Sequence, residues 1–149
     1  MTPTSATKSG GDLLQASELL AVISRRASHE VRNALNGVAV NVEVVRSRIS
    51  RPEPDLTELR TFADRASAES DAAASLATGL ADLARLFARS ATGEGEPYLQ
   101  AGDGGGKVLV VPVCTTDDTD ISADLKALAA RMGVTIKLDG STVIFTVRD

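Results

Sequence analysis

Tryptophan is absent, tyrosine occurs once and phenylalanine three times, so aromatic residues make up only 3% of the chain. That scarcity makes any core aliphatic and excludes the aromatic platforms on which single-stranded nucleic acid stacks. Positive charge is not in excess either: 16 Lys and Arg against 20 Asp and Glu leave a net charge of −4, which provides no electrostatic footprint for DNA or RNA. One cysteine, Cys114, cannot form an internal disulfide, and with a single histidine no Cys/His cluster of metal-ligand spacing exists. Cys114 reads as a small buried strand residue. No apolar run approaches the ~18 residues of a membrane span, and the opening MTPTSATKSGGD lacks the apolar centre of a signal peptide. The expectation is a soluble, cytoplasmic protein with no metal or other cofactor, partnered by neither nucleic acid nor membrane.

What is present is globular. The 149 residues are 43% hydrophobic against 24% charged, enough for one ordinary domain or two small ones. Residues 1–11 are rich in Thr, Ser and Gly and read as disordered. From Asp12 or Ser17 a helix is predicted to run to Ile49, with apolar residues at Leu20, Ile23, Ala27, Val31, Ala34, Val38, Val42, Val45 and Ile49 in steps of three and four. Ser50-Arg51-Pro52-Glu53-Pro54-Asp55 is a turn, with Asp55 placed to cap the next helix. That second helix is predicted over 56–88, its stripe at Leu59, Phe62, Ala66, Ala73, Leu76, Leu80, Leu83 and Phe87, with a polar interruption at Glu69 and Ser70. Residues 12–89 thus form an antiparallel hairpin. A lone hairpin covers only part of each stripe, and pairing two into a four-helix bundle would bury the rest, so a homodimer is expected.

The single histidine lies on the first helix. His29 falls between Ala27 and Val31 of the apolar stripe and should point away from the core. Arg25, Arg26, Arg32 and Asn33 stand three or four residues from it, and Glu30 is its neighbour. A neutral imidazole has a nucleophilic ring nitrogen, and a carboxylate such as Glu30 can accept a hydrogen bond from the other nitrogen and so fix the tautomer. Guanidinium groups one turn away suit an incoming phosphoryl group, and Asn33 can orient a water or a phosphoryl oxygen over the ring. Position alone reads a lone helical histidine as a solvated polar residue. The nine residues around it change that reading.

Ser28-His29-Glu30-Val31-Arg32-Asn33-Ala34-Leu35-Asn36 resembles the phosphoacceptor box of two-component sensor histidine kinases, on the first helix of their dimerisation and histidine-phosphotransfer domain. The resemblance implies that His29 is the phosphoacceptor, Glu30 the acid/base residue beside it and Asn33 the polar residue that helps hydrolyse the phosphorylated partner. Arg25, Arg26, Arg32 and Asn36 are the candidate phosphoryl- and partner-binding residues. Where the family usually has proline this chain has Ala34, so the bend that a helical proline imposes is not expected.

Residues 90–106, SATGEGEPYLQAGDGGG, read as a flexible linker with a short turn of structure at Tyr98 and Leu99. Beyond it, 107–149 read as a small βαββ unit. A buried strand over 108–114 has Pro112 marking an edge or end, and Asp117–Asp120 form a loop. Ser122 caps a helix over 123–132 that Gly133 ends. Two strands then flank Asp139-Gly140, a turn that sets Ile136 opposite Val143 and Val134 opposite Phe145. Residues 123–147 resemble a shortened version of the end of the kinase family's ATP-binding domain. The parts that would hold ATP are missing: there is no Asn-bearing helix with acidic metal support, and Asp103-Gly104-Gly105-Gly106 reads as linker rather than nucleotide lid.

The fold class expected is therefore α+β: a long helical hairpin, four-helical on dimerisation, followed by a βαββ unit. The expected function is histidine phosphotransfer with the aspartate of a response-regulator receiver domain, the reduced tail helping to dock that partner. ATP-dependent autokinase activity is not expected from this chain alone. A minimal ATP-dependent histidine kinase and a non-catalytic dimerisation scaffold stay open as other readings.

Overall fold

The structure is a computed structural model that describes residues 10–92, 96–102, 106–113 and 121–147. Residues 1–9, Asp103-Gly104-Gly105 of the linker, Cys114 and the 117–120 loop, each the subject of an expectation above, lie outside the described residues. Two long helices, α1 (Gly10–Ile49) and α2 (Leu56–Thr92), fold back on each other. They are followed by strands β1 (Tyr98–Ala101) and β2 (Lys107–Pro112), helix α3 (Ala123–Met132) and strands β3 (Val134–Asp139) and β4 (Thr142–Val147). The α+β class and the hairpin are as expected. α1 starts two residues before Asp12 and α2 continues past Ala88, because no proline stops either helix there.

The reversal between the long helices uses the capping chemistry legible in the turn. Asp55 Oδ1 accepts hydrogen bonds from the backbone N–H groups of Thr57 at 2.9 Å and Glu58 at 3.1 Å, satisfying donors at the start of α2 that have no helical partner. Arg48 pairs with Glu58 across the turn and lays its guanidinium 5.0 Å from the centre of the Phe62 ring.

Burial is unequal along the hairpin. Near its open end, Ala16, Leu19, Ile23 and Ala27 of α1 and Ala73, Leu76, Leu83 and Leu86 of α2 are buried in one core with the sheet and α3. Toward the turn the cover stops, and Leu35, Val42, Ile49 and Leu56 are more than half exposed. The polar level at Glu69 meets Gly37, whose missing side chain leaves room for the Glu69 carboxyl group.

The four strands form an antiparallel sheet in the order β1-β2-β4-β3. One strand, β1, lies inside the stretch read as linker: Leu99 packs against the core, and its strand pairs with β2 from Tyr98↔Val110 to Ala101↔Lys107. The tail is thus ββαββ rather than βαββ. β2 becomes an inner strand, and Pro112 is its last residue, beyond the end of the ladder with β1, so its missing N–H breaks no pair there.

The β3–β4 hairpin corrects the expected register. Ile136 faces Phe145, Leu138 faces Val143 and Val134 faces Val147, with Asp139 opposite Thr142. The two turn residues are Gly140 and Ser141, and only Gly140 has positive φ, at 58°, the pattern of a type II′ turn with glycine in its first central position. The physical reason is apolar pairing. In the expected register Leu138 would face Ser141, whereas here all three inward residues of β3 meet apolar partners. The two registers differ by two positions in pairing, so the same side chains share the inner face.

The tail is bolted to the hairpin through α3. Ser122 caps α3 by accepting from the Leu125 N–H at 3.1 Å, and its hydroxyl donates to Asp82 of α2 at 2.6 Å. Ser75 of α2 donates to Asp124 at 2.6 Å, and Gly79 provides the space in which the two helices touch. Gly133 ends α3 in the left-handed conformation, its N–H bonding back to the last turn. Phe87 and Phe145 meet beneath, ring centres 5.6 Å apart.

Candidate functional site

The orientation of His29 is set by its neighbours. Ile23 and Ala27 are fully buried and fix the roll of α1 about its axis, which sends the imidazole outward with 64% of its side chain exposed. Asn33 lies one turn on, with Nδ2 3.0 Å from His29 Nδ1. With Nδ2 turned to the ring its N–H donates to the Nδ1 lone pair; with the amide rotated by a half-turn its oxygen accepts an Nδ1 proton. Either way Nδ1 is the engaged nitrogen. Nε2 has no hydrogen-bond partner among the described residues.

Glu30, expected to hold the ring by a hydrogen bond, stands with Oε1 3.7 Å from Nδ1, outside hydrogen-bond range. Adjacent residues on a helix do not face each other, whereas residues four apart do, so Asn33 takes the place expected of Glu30.

Packing of α3 against the hairpin brings its last turn beside this imidazole. Arg25, Arg26, His29 and Glu30 of α1 and Arg131 and Met132 of α3 line one cleft of about 280 Å³. Arg26 Nη1 donates to the Met132 carbonyl at 3.5 Å, a long bond to one of the carbonyls that a helix end leaves unpaired. Of the expected phosphoryl-binding residues, Arg25 and Arg26 thus reach the cleft. Arg32 and Asn36 are exposed on α1 and do not line it; Asn36 stands two turns from His29, about 10 Å along the axis.

Arg131 and Met132 were missed by sequence reasoning. Met132 reads as packing, Arg131 drew no reading, and no local signal links either to the distant residues of α1; Met132 and Arg26 are 106 positions apart. A larger cleft of about 490 Å³, between Gln15, Glu18, Leu19 and Val22 of α1 and Leu99 and Lys107 of the sheet, has no histidine among its lining. Among the described residues no group of three or more His, Cys, Asp or Glu is placed to hold a metal ion, and no helix is long and apolar enough to cross a membrane. No family model, curated protein or solved structure matches the chain.

Proposed function

We propose that the chain is a dimeric, cytoplasmic histidine-phosphotransfer protein of the two-component type, in which His29 exchanges a phosphoryl group with the aspartate of a response-regulator receiver domain. The observation that carries this reading is an outward imidazole whose Nδ1 is engaged by Asn33 while Nε2 stands open beside a cleft lined by three arginines. In the transfer the Nε2 lone pair attacks the phosphorus of an aspartyl phosphate. The N–P bond forms, the P–O bond to the carboxyl group breaks, and its electron pair leaves with the carboxylate. The step uses the rotated Asn33 amide: its oxygen accepts the Nδ1 proton, which stays on Nδ1 throughout and leaves the lone pair on Nε2, and Glu30 offsets the charge on the ring.

Dimerisation is supported by the exposed stripe. Leu35, Val42 and Ile49 recur every seven residues and are 54%, 51% and 59% exposed. At about 100° per residue they lie roughly 120–160° round α1 from His29, so a second hairpin seated there leaves the imidazole accessible.

The test is incubation with receiver domains phosphorylated by acetyl phosphate, followed by assay for acid-labile phosphate on the chain. Label is expected on the wild type and absent from His29→Gln. Label on both, or on neither, would defeat the proposal.

A further inference from the structure

We infer that Arg131, carried by the tail, is the second arm of the phosphoryl-binding site, so that α3 belongs to the reacting centre and is more than a surface for docking a partner. The inference rests on the phosphotransfer reading of His29 and adds a residue to it.

Three observations converge on Arg131. It lines the same cleft as His29 and Arg25, from the opposite helix. Among the described residues neither Arg25 nor Arg131 is paired with a carboxylate, unlike Arg46, Arg48 and Arg85, which are. A free guanidinium offers a planar fork of donors that matches two phosphoryl oxygens at once. The cleft carries three guanidinium groups against one carboxylate, a local positive site on a chain of net charge −4.

The end of α3 would by itself repel an anion, since the last carbonyls of a helix bear partial negative charge. Here that charge is partly answered. Arg26 donates to the Met132 carbonyl, and the Gly133 N–H bonds to the Ala129 and Ala130 carbonyls. Arg26 is thus committed to the helix end, and Arg25 and Arg131 remain for the visitor. At about 280 Å³ the cleft lies at the small end of ligand pockets and has room for a phosphoryl group presented on another protein's side chain.

Two measurements test this. His29 is the sole histidine, so its ring Hε1 gives a single proton resonance, and titration with inorganic phosphate reads occupancy of the cleft without any transfer chemistry. Arg131→Gln is expected to weaken phosphate binding about tenfold, the size of one charge-assisted hydrogen bond, and to slow transfer from a phosphorylated receiver domain to a similar extent. Arg131→Lys should fall between the two, keeping charge but losing the fork. Arg60→Gln, the same change at an exposed site on α2, should do neither. Wild-type phosphate affinity and transfer rate in Arg131→Gln, with His29→Gln unlabelled, would overturn the role of Arg131 and leave the phosphotransfer reading standing. Label on His29→Gln would overturn that reading instead. Since Arg131 is exposed, its variants should melt with the wild type; a large loss of stability would mark a structural role and also count against the inference.

Discussion

Gly79 of α2 sits so close to Asp124 of α3 that a β-carbon added there would lie 2.5 Å from the Asp124 carbonyl oxygen. The obstructing atom is backbone in the first turn of a capped helix, so it cannot step aside without moving α3. Overpacking of this kind costs about 1–3 kcal/mol, while replacing a helical glycine by alanine returns at most about 1 kcal/mol. Gly79→Ala should therefore lower the melting temperature. Gly37→Ala should raise it slightly, because the nearest atoms are the end of the flexible, half-buried Glu69 side chain at 3.2 Å. Thermal unfolding of the two variants side by side checks the contrast, and a Gly79→Ala protein as stable as wild type would refute the close packing of α2 on α3.

Ser122 performs two roles with one hydroxyl: its oxygen accepts from Leu125 while its proton goes to Asp82. Ser122→Ala should cost about 1–2 kcal/mol in denaturant unfolding, the usual loss for an N-cap together with a helix-to-helix bond. Asp82→Ala removes the same bond from the other side. The double variant should lose less than the sum of the single ones, and strict additivity would show that the Ser122–Asp82 contact is energetically idle.

Val42 stands in the middle of the exposed heptad stripe. A glutamate there would face its own copy across a two-fold seam and be stripped of water, so Val42→Glu should turn a dimer into monomers while helix content is kept. Sedimentation velocity reads the outcome. A wild-type chain that sediments as a monomer at high concentration would remove the dimer from the proposal.

The features that could be read in the sequence are those that local chemistry dictates. The long hairpin comes from two stripes of period near 3.6 separated by a proline-bearing turn, and Asp55, Ser122 and Gly133 each act at the helix end where their side-chain or backbone preferences place them. β1 escaped because four residues between glycine-rich flanks have no periodicity of their own; pairing with β2 makes them a strand. The register of the last hairpin escaped for a related reason. Asp-Gly is a strong turn signal, but the choice between it and Gly-Ser was made by where Leu138 and Val147 find apolar partners. Asn33 and Glu30 were both visible as neighbours of His29, and only the geometry of one helical turn decided which of them reaches Nδ1. Arg131 was invisible because its approach to His29 depends on Gly79, Ser75 and Asp82 all holding α3 in place.

The position of β4 bears on how the molecule is made. This strand is the last of the described elements, yet it lies between β2 and β3 and carries the fully buried Val143 and Phe145. As the polypeptide leaves the ribosome, α2 emerges with Phe87 lacking its ring partner, and β2 waits with one edge open. Only when Thr142–Val147 slides between its neighbours is that edge paired and Phe87 met by Phe145. A nascent chain stalled before that point would be a sticky helical rod with an unpaired strand, the kind of intermediate that chaperones exist to hold.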